Sequence, residues 1–411
     1  MKKITTILPI MHSAHYDIGS SVINKAALKS SLLGFLTASL ISLSSQGMTA
    51  EYIADNAQLA WLGLGVDSRS GFKKQACVTG HWKKAGDTSI ELSYLGSRQV
   101  KDTMEQVFGK IKGGVNVIIF SGSVSVSMTS RISENKTTAA STLKLAYNGP
   151  NYTLENRRLT SLGQAMTHAD PTSVMSNCGD EFIYHMDTGG EVYVTAKLHF
   201  KSKEAYKKFV TKVKVRVLFV KKTKTYTKEW YNYAEDAVYS INVVTKGGNT
   251  PKLKQLLRDN PQYCKIENIN DCFNTANLLF AYLFGDNGYH QDLSAAPMKV
   301  LSFDTRRYDD SGHFALNPPN EPYVDPGFKI QEEKIKITLL KQYDYQQSLQ
   351  AFYAVESNNV QKEKYAEEIA KVEHNLTELH QATVTCQAAS AFVVCRAAVD
   401  QAMANLYPVQ I

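Results

Sequence analysis

The sequence predicts an α+β protein with strands in its central part and helices in its C-terminal part. Residues 192–200 alternate apolar and polar side chains with period two, which is typical of a β-strand, and residues 121–132 repeat the pattern. From about residue 331 to 406 the spacing becomes helical, as in the pair Tyr365 and Ile369. A chain of 411 residues is long enough for one large domain and a smaller one.

The composition is that of a folded protein. Hydrophobic residues make up 43% of the chain and charged residues 21%, which excludes extensive disorder. The formal net charge of +7 favours anionic surfaces, but it does not by itself indicate a nucleic-acid partner.

Residues 1–50 have the pattern of a signal peptide or export leader. An apolar stretch from Leu32 to Leu43 follows Lys25 and Lys29, and the small residues at 48–50 offer a cleavage site. The alternative, a transmembrane anchor, is disfavoured because the apolar run is short and is interrupted by Ser and Thr. The sequence therefore predicts a secreted protein.

The six cysteines agree with secretion, because an even number in an exported chain indicates disulfides. Six cysteines allow 15 connectivities. The spacing suggests Cys264 with Cys272 and Cys386 with Cys395, which leaves Cys77 with Cys178 as a long-range pair. If Cys386 pairs with Cys395, a straight helix cannot join them, because it would separate their α-carbons by about 13 Å.

Two predicted strands have one apolar face each, and these faces are candidates for contact with lipid. Their lengths, nine residues at 192–200 and twelve at 121–132, fit strands that cross a bilayer, although they also fit an ordinary half-buried sheet. The candidate membrane-facing residues are Val124, Val126, Met128, Val192, Val194, Ala196, Leu198 and Phe200.

Further elements follow from local patterns. The alternation resumes at 212–217, 238–244 and 298–303, which predicts strands there. Short helices are expected at 97–109, 201–210 and 251–258, the last beginning with a proline in its first turn.

No pattern in the chain supports catalysis. Asp180 and Glu181 are neighbours, so in a strand their carboxylates point to opposite faces and cannot act together. His185 and Asp187 share a face, but two ligands are too few for a zinc site. Nucleotide-binding and hydrolase motifs are missing from the sequence. We therefore expect no enzyme activity, no metal and no cofactor.

Residues 197–228 contain twelve Lys or Arg residues, interspersed with aromatic side chains. Such a segment can bind nucleic acid, attract anionic lipid headgroups or form a solvated basic face. Since export makes nucleic acid an unsuitable partner, lipid headgroups are favoured among the binding partners.

The stretch 176–190 resembles the signature of the membrane-attack-complex/perforin (MACPF) superfamily. That signature is an aromatic residue, Gly, Thr or Ser, His and an aromatic residue, followed after six residues by Gly-Gly. Gly179, Phe182, Gly189 and Gly190 match it. Cys178, Asp180 and Glu181 depart from it, replacing the first aromatic residue, the Thr or Ser, and the His. Residues 62–67, followed by Cys77, resemble an N-terminal stretch of bacterial members.

The resemblance covers a MACPF-like domain at 51–305 and implies its fold. We expect a bent four-stranded antiparallel sheet flanked by two helical clusters, with bends or hinges at the glycine pairs Gly113-Gly114 and Gly247-Gly248. An extended linker at 306–330 and a C-terminal helical region at 331–411 lie outside the resemblance, which gives this last region no role.

The resemblance also implies a function and its partners. A secreted, soluble monomer would form a homo-oligomer on a target lipid membrane, in the manner of a virulence toxin. Regions 115–150 and 191–245 would then refold into two β-hairpins per subunit and join a shared barrel. The receptor and ring size are not indicated. The alternative is a non-lytic MACPF-like protein that binds a surface or partner through the same fold.

Overall fold

In the described part of the chain, strands and helices extend to Arg307, and three further α-helices follow. The computed structural model describes residues 51–52, 61–68, 73–96, 123–213, 231–246, 251–285, 288–294, 299–313, 315–318, 326–389 and 391–410. The leader at 1–50, the helix expected at 97–109, the alternation at 214–217 and both glycine pairs lie outside these residues.

Ten strands are present among the described residues. In chain order they are β1 (Glu51–Tyr52), β2 (Leu64–Val66), β3 (Lys73–Ala76), β4 (Val78–Ala85), β5 (Ser89–Gly96), β6 (Thr138–Leu159), β7 (Glu181–His199), β8 (Val238–Lys246), β9 (Tyr263–Lys265) and β10 (Lys299–Arg307).

Ten α-helices accompany them in the same part of the chain. They are α1 (Ser123–Ile132), α2 (Ser161–Met166), α3 (Pro171–Asn177), α4 (Lys203–Lys212), α5 (Pro251–Asp259), α6 (Ile269–Phe284), α7 (Tyr289–Ser294), α8 (Pro326–Val355), α9 (Asn359–Ala388) and α10 (Phe392–Ala404).

The centre of the sheet is antiparallel and four strands wide. β6 pairs with β7 from Thr138↔His199 onward, and β8 lies on the other side of β7 with Val238 opposite His199. β4 and β5 both pair with the outer side of β6, one after the other, so together they occupy the position of the fourth strand. The expected four-stranded antiparallel sheet is confirmed.

The pairing of the sheet is interrupted along a line that crosses β6, β7 and the gap between β4 and β5, here called the crease. The residues of the crease are 86–88 between β4 and β5, 149–150 in β6 and 188–189 in β7. The register between β6 and β7 shifts here, since Asn148 faces Gly189 but Asn151 faces Asp187. Bulges of this kind bend the strand that carries them. This register shift lies at Gly189, where the resemblance predicts a bend.

One face of the sheet is apolar and carries the main hydrophobic core. Val192, Val194, Ala196 and Leu198 of β7 are buried there. Phe209 of α4, Leu253 of α5 and Leu279 of α6 belong to the same cluster. The bounds of α5 differ from the helix expected at 251–258 by one residue at the C-terminal end. Its buried residues Leu253 and Leu257 are four positions apart, so they share one face of the helix.

The three C-terminal helices form a bundle with a hydrophobic core of its own. Val372 and Leu379 of α9 pack there with Val399 of α10. The expected helical region is confirmed, but its first helix begins at Pro326, five residues before the expected 331. β10 continues to Arg307, and α8 begins with a proline, which is well tolerated in the first turn of a helix.

All three cysteine pairs suggested by the spacing are disulfides. They are Cys77–Cys178, Cys264–Cys272 and Cys386–Cys395. Cys386 lies near the end of α9 and Cys395 near the start of α10, so the helical path breaks between them as geometry requires. Their α-carbons are 4.2 Å apart.

The prediction of a strand at 121–132 is wrong, because Ser123–Ile132 form the helix α1. The period-two pattern is real, but contacts with the sheet and with α8 override it. No helix in the described ranges has both the length and the hydropathy needed to cross a bilayer.

Candidate functional site

The signature stretch connects several elements where β7 begins. Cys178 is held by its disulfide to Cys77, and Gly179 has a φ of +73°. The Asp180 carboxylate accepts hydrogen bonds from the Ser68 amide, at 2.7 Å, and from the Ser68 hydroxyl. These contacts join the β2 end to the β7 start and leave the Asp180 carboxylate occupied with a structural role.

The next two signature residues contact β10 and the loop after it. The Thr305 hydroxyl donates to the Glu181 carboxylate. Burial raises the pKa of Glu181, and the nearby Asp180 charge raises it further, against the hydrogen bond from Thr305. The Phe182 ring stacks on Tyr308 at 5.5 Å, and the Tyr308 hydroxyl donates to the Cys178 carbonyl at 2.7 Å. Asp180 and Glu181 thus have separate partners, which fits a junction rather than a catalytic pair.

Gly189 lies in the crease, where the backbones approach closely. A β-carbon on Gly189 would be 2.1 Å from the Tyr147 carbonyl oxygen of β6. Only glycine fits at that distance, which gives the first residue of the Gly-Gly pair a steric reason.

The second face of β7 is polar, yet it is buried. Tyr193, Thr195, Lys197 and His199 all lie on it, and all are at most 1% exposed. Thr195 shares a hydrogen bond with Thr142 of β6, and the Tyr193 hydroxyl donates to Glu191 at 2.9 Å. The helices α1 and α8 pack on this side of the sheet.

A cluster of four polar residues joins β7, α1 and α8, and it is here called the Ser130 cluster. Its members are Ser130, Lys197, Asp344 and Gln347. The Lys197 ammonium donates to the Ser130 carbonyl and, at 3.2 Å, to the Gln347 amide oxygen. The Ser130 hydroxyl donates to Asp344 at 2.6 Å and accepts from the Gln347 amide.

The two charges of this cluster titrate away from their ordinary ranges. Burial lowers the pKa of Lys197 to about 8, while the Asp344 charge opposes the shift. Burial raises the pKa of Asp344, while the charge of Lys197 and hydrogen bonds from Ser130 and Asn135 oppose it. Opposite charges removed from water stay ionised only when they have such partners.

His199 extends the polar face toward β8. Its ring nitrogens lie 3.2 Å from the Ser348 hydroxyl of α8 and 2.9 Å from the Ser240 hydroxyl of β8. Burial lowers the pKa of His199 to about 3, with a further contribution from the Lys197 charge. The ring is therefore neutral at physiological pH.

The candidate membrane-facing residues of the second segment lie inside the protein. Val192, Val194, Ala196, Leu198 and Phe200 are all buried in the apolar core of the sheet. Their segment was expected to lie in a helical cluster that refolds, but residues 191–199 already belong to the central strand β7, because they pair with strands on both sides.

The residues of the first segment do not share a face, contrary to the strand prediction. Val126 packs with the C-terminal helices, whereas Met128 packs with Tyr193 and Val244 of the sheet. Two residues apart on a helix means roughly 200° of rotation, which explains the separation. The side chain of Val124 lies outside the described set.

Two helix-containing connections leave the sheet at the same end. Residues 97–137 connect β5 to β6 and include α1, and residues 200–237 connect β7 to β8 and include α4. The predicted regions 115–150 and 191–245 overlap these connections but also include residues of β6, β7 and β8 that are already in the sheet.

His185 and Asp187 do lie together, as expected from their shared face. The His185 Nε2 atom is 3.4 Å from the Asp187 carboxylate, and its Nδ1 atom is 2.8 Å from the Thr153 hydroxyl. No group of three or more metal-ligating side chains occurs within the described ranges.

Sequence reasoning missed the Ser130 cluster. The alternation of β7 gave the polar face that carries Lys197 and His199. Their partners Asp344, Gln347 and Ser348 are about 150 residues away in the sequence, where no local pattern connects them.

Solved structures of MACPF/perforin-like proteins, the family that the signature stretch resembles, are similar to this chain. Stonustoxin is 10% identical with a TM-score of 0.38, over 84% of this chain and 43% of its own. GNIP1Aa from Chromobacterium piscinae is 13% identical with a TM-score of 0.34, over 71% and 57%. A protein with a MAC/perforin domain from Bacteroides thetaiotaomicron is 11% identical with a TM-score of 0.28, over 72% and 62%.

The chain thus spans between 43% and 62% of the length of these three proteins. No protein-family model and no curated protein matches the sequence.

Proposed function

We propose that this protein is secreted, assembles as a homo-oligomer on a target membrane and perforates it by refolding its two helix-containing connections into β-hairpins. The observation that carries the proposal is α1, a helix whose sequence has the pattern of a strand. Places where local pattern and fold disagree are expected to be functional sites.

The sequence of α1, SVSVSMTSRI, is poorly suited to an isolated helix. Serine and β-branched residues, which predominate in it, have low helix propensity. In an extended form its apolar and hydroxyl side chains would point to opposite sides, as lipid-facing and lumen-facing residues do in a membrane strand. The helix is thus stabilised by its neighbours, and the alternative form suits a bilayer.

The position of the connections supports the same proposal. At one end of the sheet Thr138 of β6, His199 of β7 and Val238 of β8 lie in one row of pairing. If the connections became strands, they would extend the sheet in its existing register. In lipid such strands must close into a barrel, because unpaired backbone groups cannot be hydrated there.

Anionic headgroups are the proposed lipid partners. Of the twelve Lys or Arg residues at 197–228, Lys197 is buried in the Ser130 cluster, and each of the eleven at 201–228 would contribute about 1 kcal/mol where it lies near an anionic surface. Lys212, Lys214 and Arg216 alternate with valines in the sequence, so a strand formed here would place them together on the lumen side.

Dye release from lipid vesicles tests the proposal. We expect release from vesicles that contain anionic lipid, much slower release from neutral vesicles, and rings on the former by electron microscopy. Binding without release at any lipid composition would instead favour the alternative, a non-lytic surface-binding protein.

A tether between the second connection and the rest of the fold tests the refolding step. The Tyr231 hydroxyl lies 3.4 Å from the Glu267 carbonyl oxygen, and both residues are exposed. A short bis-maleimide across Tyr231→Cys and Glu267→Cys should abolish release. The matched control is the same reagent across Lys334→Cys and Asp400→Cys, which joins two helices of the bundle. Undiminished release from the first tethered protein would exclude hairpin insertion.

A further inference from the structure

We propose that the C-terminal bundle (α8, α9 and α10) is an inhibitory clamp that keeps α1 helical and must separate from the sheet before the first connection refolds. The refolding part rests on the proposed function. The clamp itself is a relationship between α8 and α1 that hydrogen exchange can measure without any membrane.

α1 is enclosed between the sheet and the bundle. Met128 and Ile132 pack on Tyr193 of the sheet, and Val126 belongs to the hydrophobic cluster of the bundle. Its last carbonyl, that of Ile132, accepts a hydrogen bond from Thr142 of β6 at 3.1 Å. Since this helix has weak intrinsic propensity, these contacts are what stabilise it.

Ser130 of α1 forms hydrogen bonds with the bundle, and these bonds are here called the grip. Its hydroxyl is bonded to Asp344 and Gln347 of α8, and its carbonyl accepts from Lys197 of β7. Ser130, Lys197 and Gln347 are at most 4% exposed, and Asp344 is half-buried. One residue of α1 is therefore bonded to both elements that enclose it.

The bundle presents polar side chains to Ser130 and β7, beside apolar contacts with Val126 of α1 and Val238 of β8. Asp344, Gln347 and Ser348 contact α1 and β7, whereas Leu349 and Phe352 of the same helix belong to the bundle core. The Cys386–Cys395 disulfide closes the turn between α9 and α10.

This division makes the interface separable. When an interface opens, polar groups replace their lost hydrogen bonds with bonds to water, so separating them costs little free energy. Apolar surface gains no such replacement, and its exposure to water is unfavourable. Lys197 and Asp344 would also regain full hydration as separate ions. Apart from the contacts of Val126 and Val238, the bundle can therefore leave the sheet with its own core and disulfide intact.

A cross-link through the grip tests the clamp in the full chain. Ser130 Oγ and Gln347 Nε2 lie 2.5 Å apart, so a short thiol-cleavable bis-thiosulfonate across Ser130→Cys and Gln347→Cys would replace the length that the glutamine side chain loses. The cross-linked variant should release dye at least ten-fold more slowly than wild type, and reductant should restore the rate. Wild type in the same reductant controls for the native disulfides, and the Lys334→Cys/Asp400→Cys tether should leave release unchanged.

Removing the hydrogen bond between Gln347 and Ser130 provides the opposite test, with a matched control on the same helix. Gln347 and Gln342 are both buried on α8, at 4% and 5% exposure, but Gln342 bonds to Asn375 of α9 inside the bundle. Gln347→Ala should accelerate both dye release and hydrogen exchange of the α1 amides several-fold. Gln342→Ala should change neither relative to its loss of overall stability.

The outcomes separate the clamp from the proposed function. If wild type and Gln347→Ala release no dye from any vesicle, pore formation is excluded, and faster exchange of α1 in Gln347→Ala alone would still support the clamp. Equal exchange of α1 in the two glutamine variants would overturn the clamp. Unslowed release from the cross-linked Ser130→Cys/Gln347→Cys protein would overturn it too.

Discussion

Gly179 lies so close to Val66 that a β-carbon at position 179 would be 2.1 Å from the Val66 carbonyl oxygen. The same glycine has a φ of +73°. The signature therefore requires glycine here for two independent reasons, a steric one and a conformational one.

Gly179→Ala should lower the free energy of unfolding by about 3 kcal/mol or more, because it adds a clash to the cost of a left-handed backbone. Gly312 provides the control, since its φ is +81° but no atom lies within 4 Å of its would-be β-carbon. Gly312→Ala should cost only about 1 kcal/mol. Denaturant unfolding measures both, and equal losses would contradict the steric argument.

The three disulfides should differ in their contribution to stability according to the length of chain they close. Cys77–Cys178 spans 101 residues and Cys386–Cys395 spans 9. In the chain-entropy account these loops are worth about 4.7 and about 2.6 kcal/mol. Replacing Cys77 and Cys178 by alanine should therefore cost about 2 kcal/mol more than replacing Cys386 and Cys395.

Thermal and denaturant unfolding of the two double variants check this prediction. The Cys264–Cys272 pair, 8 residues apart, serves as a second short-loop control. Equal losses for all three pairs would mean that local packing around the sulfurs, not chain entropy, decides their contribution.

Acid should destabilise the contact of β7 and β8 with α8 through His199. The folded state holds its pKa at about 3, whereas the ordinary value is 6.5. Between these values the unfolded chain binds the proton and the folded protein does not, so stability falls as the pH falls from about 6.5 toward 3. The loss should approach about 1.4 kcal/mol per pH unit within that window.

The variant His199→Gln isolates this contribution from other histidines that are also neutralised by burial, such as His313 and His380. Its free energy of unfolding should depend on pH less steeply than that of wild type between pH 6 and pH 4. Parallel curves for the two proteins would show that His199 does not titrate on unfolding.

Lys197 and Asp344 should be strongly coupled in a double-mutant cycle. Removing one charge leaves the other buried without its partner, which costs about 3–5 kcal/mol. Lys197→Met and Asp344→Asn should each be destabilising, and the double variant should be less destabilised than the sum by about 1–3 kcal/mol. Urea unfolding of the four proteins measures this, and additive losses would mean that the two charges do not interact.

Periodicity and spacing predict part of the fold. The strand β8, the helix α5 and the C-terminal helices follow from apolar spacing, and the disulfides follow from the pairing of near neighbours. These features depend on residues close in sequence, which is where pattern reasoning is strong.

The failures have a common physical cause in long-range contact. The strand pattern of Ser123–Ile132 was read correctly, but its partner α8 is about 200 residues away and overrides the local preference. The Ser130 cluster was missed for the same reason. A sequence contains no local signal for a helix held in place by another helix.

The crease has a mechanical consequence. From residues 149–150 to the start of β6 at Thr138, the strand extends about 36 Å at about 3.3 Å per residue. A flattening of the sheet by about 10° at the crease would therefore displace that end by about 6 Å, roughly the width of one more strand. A small change of curvature at the crease would therefore move the ends of β6 and β7 beside both connections by several ångströms.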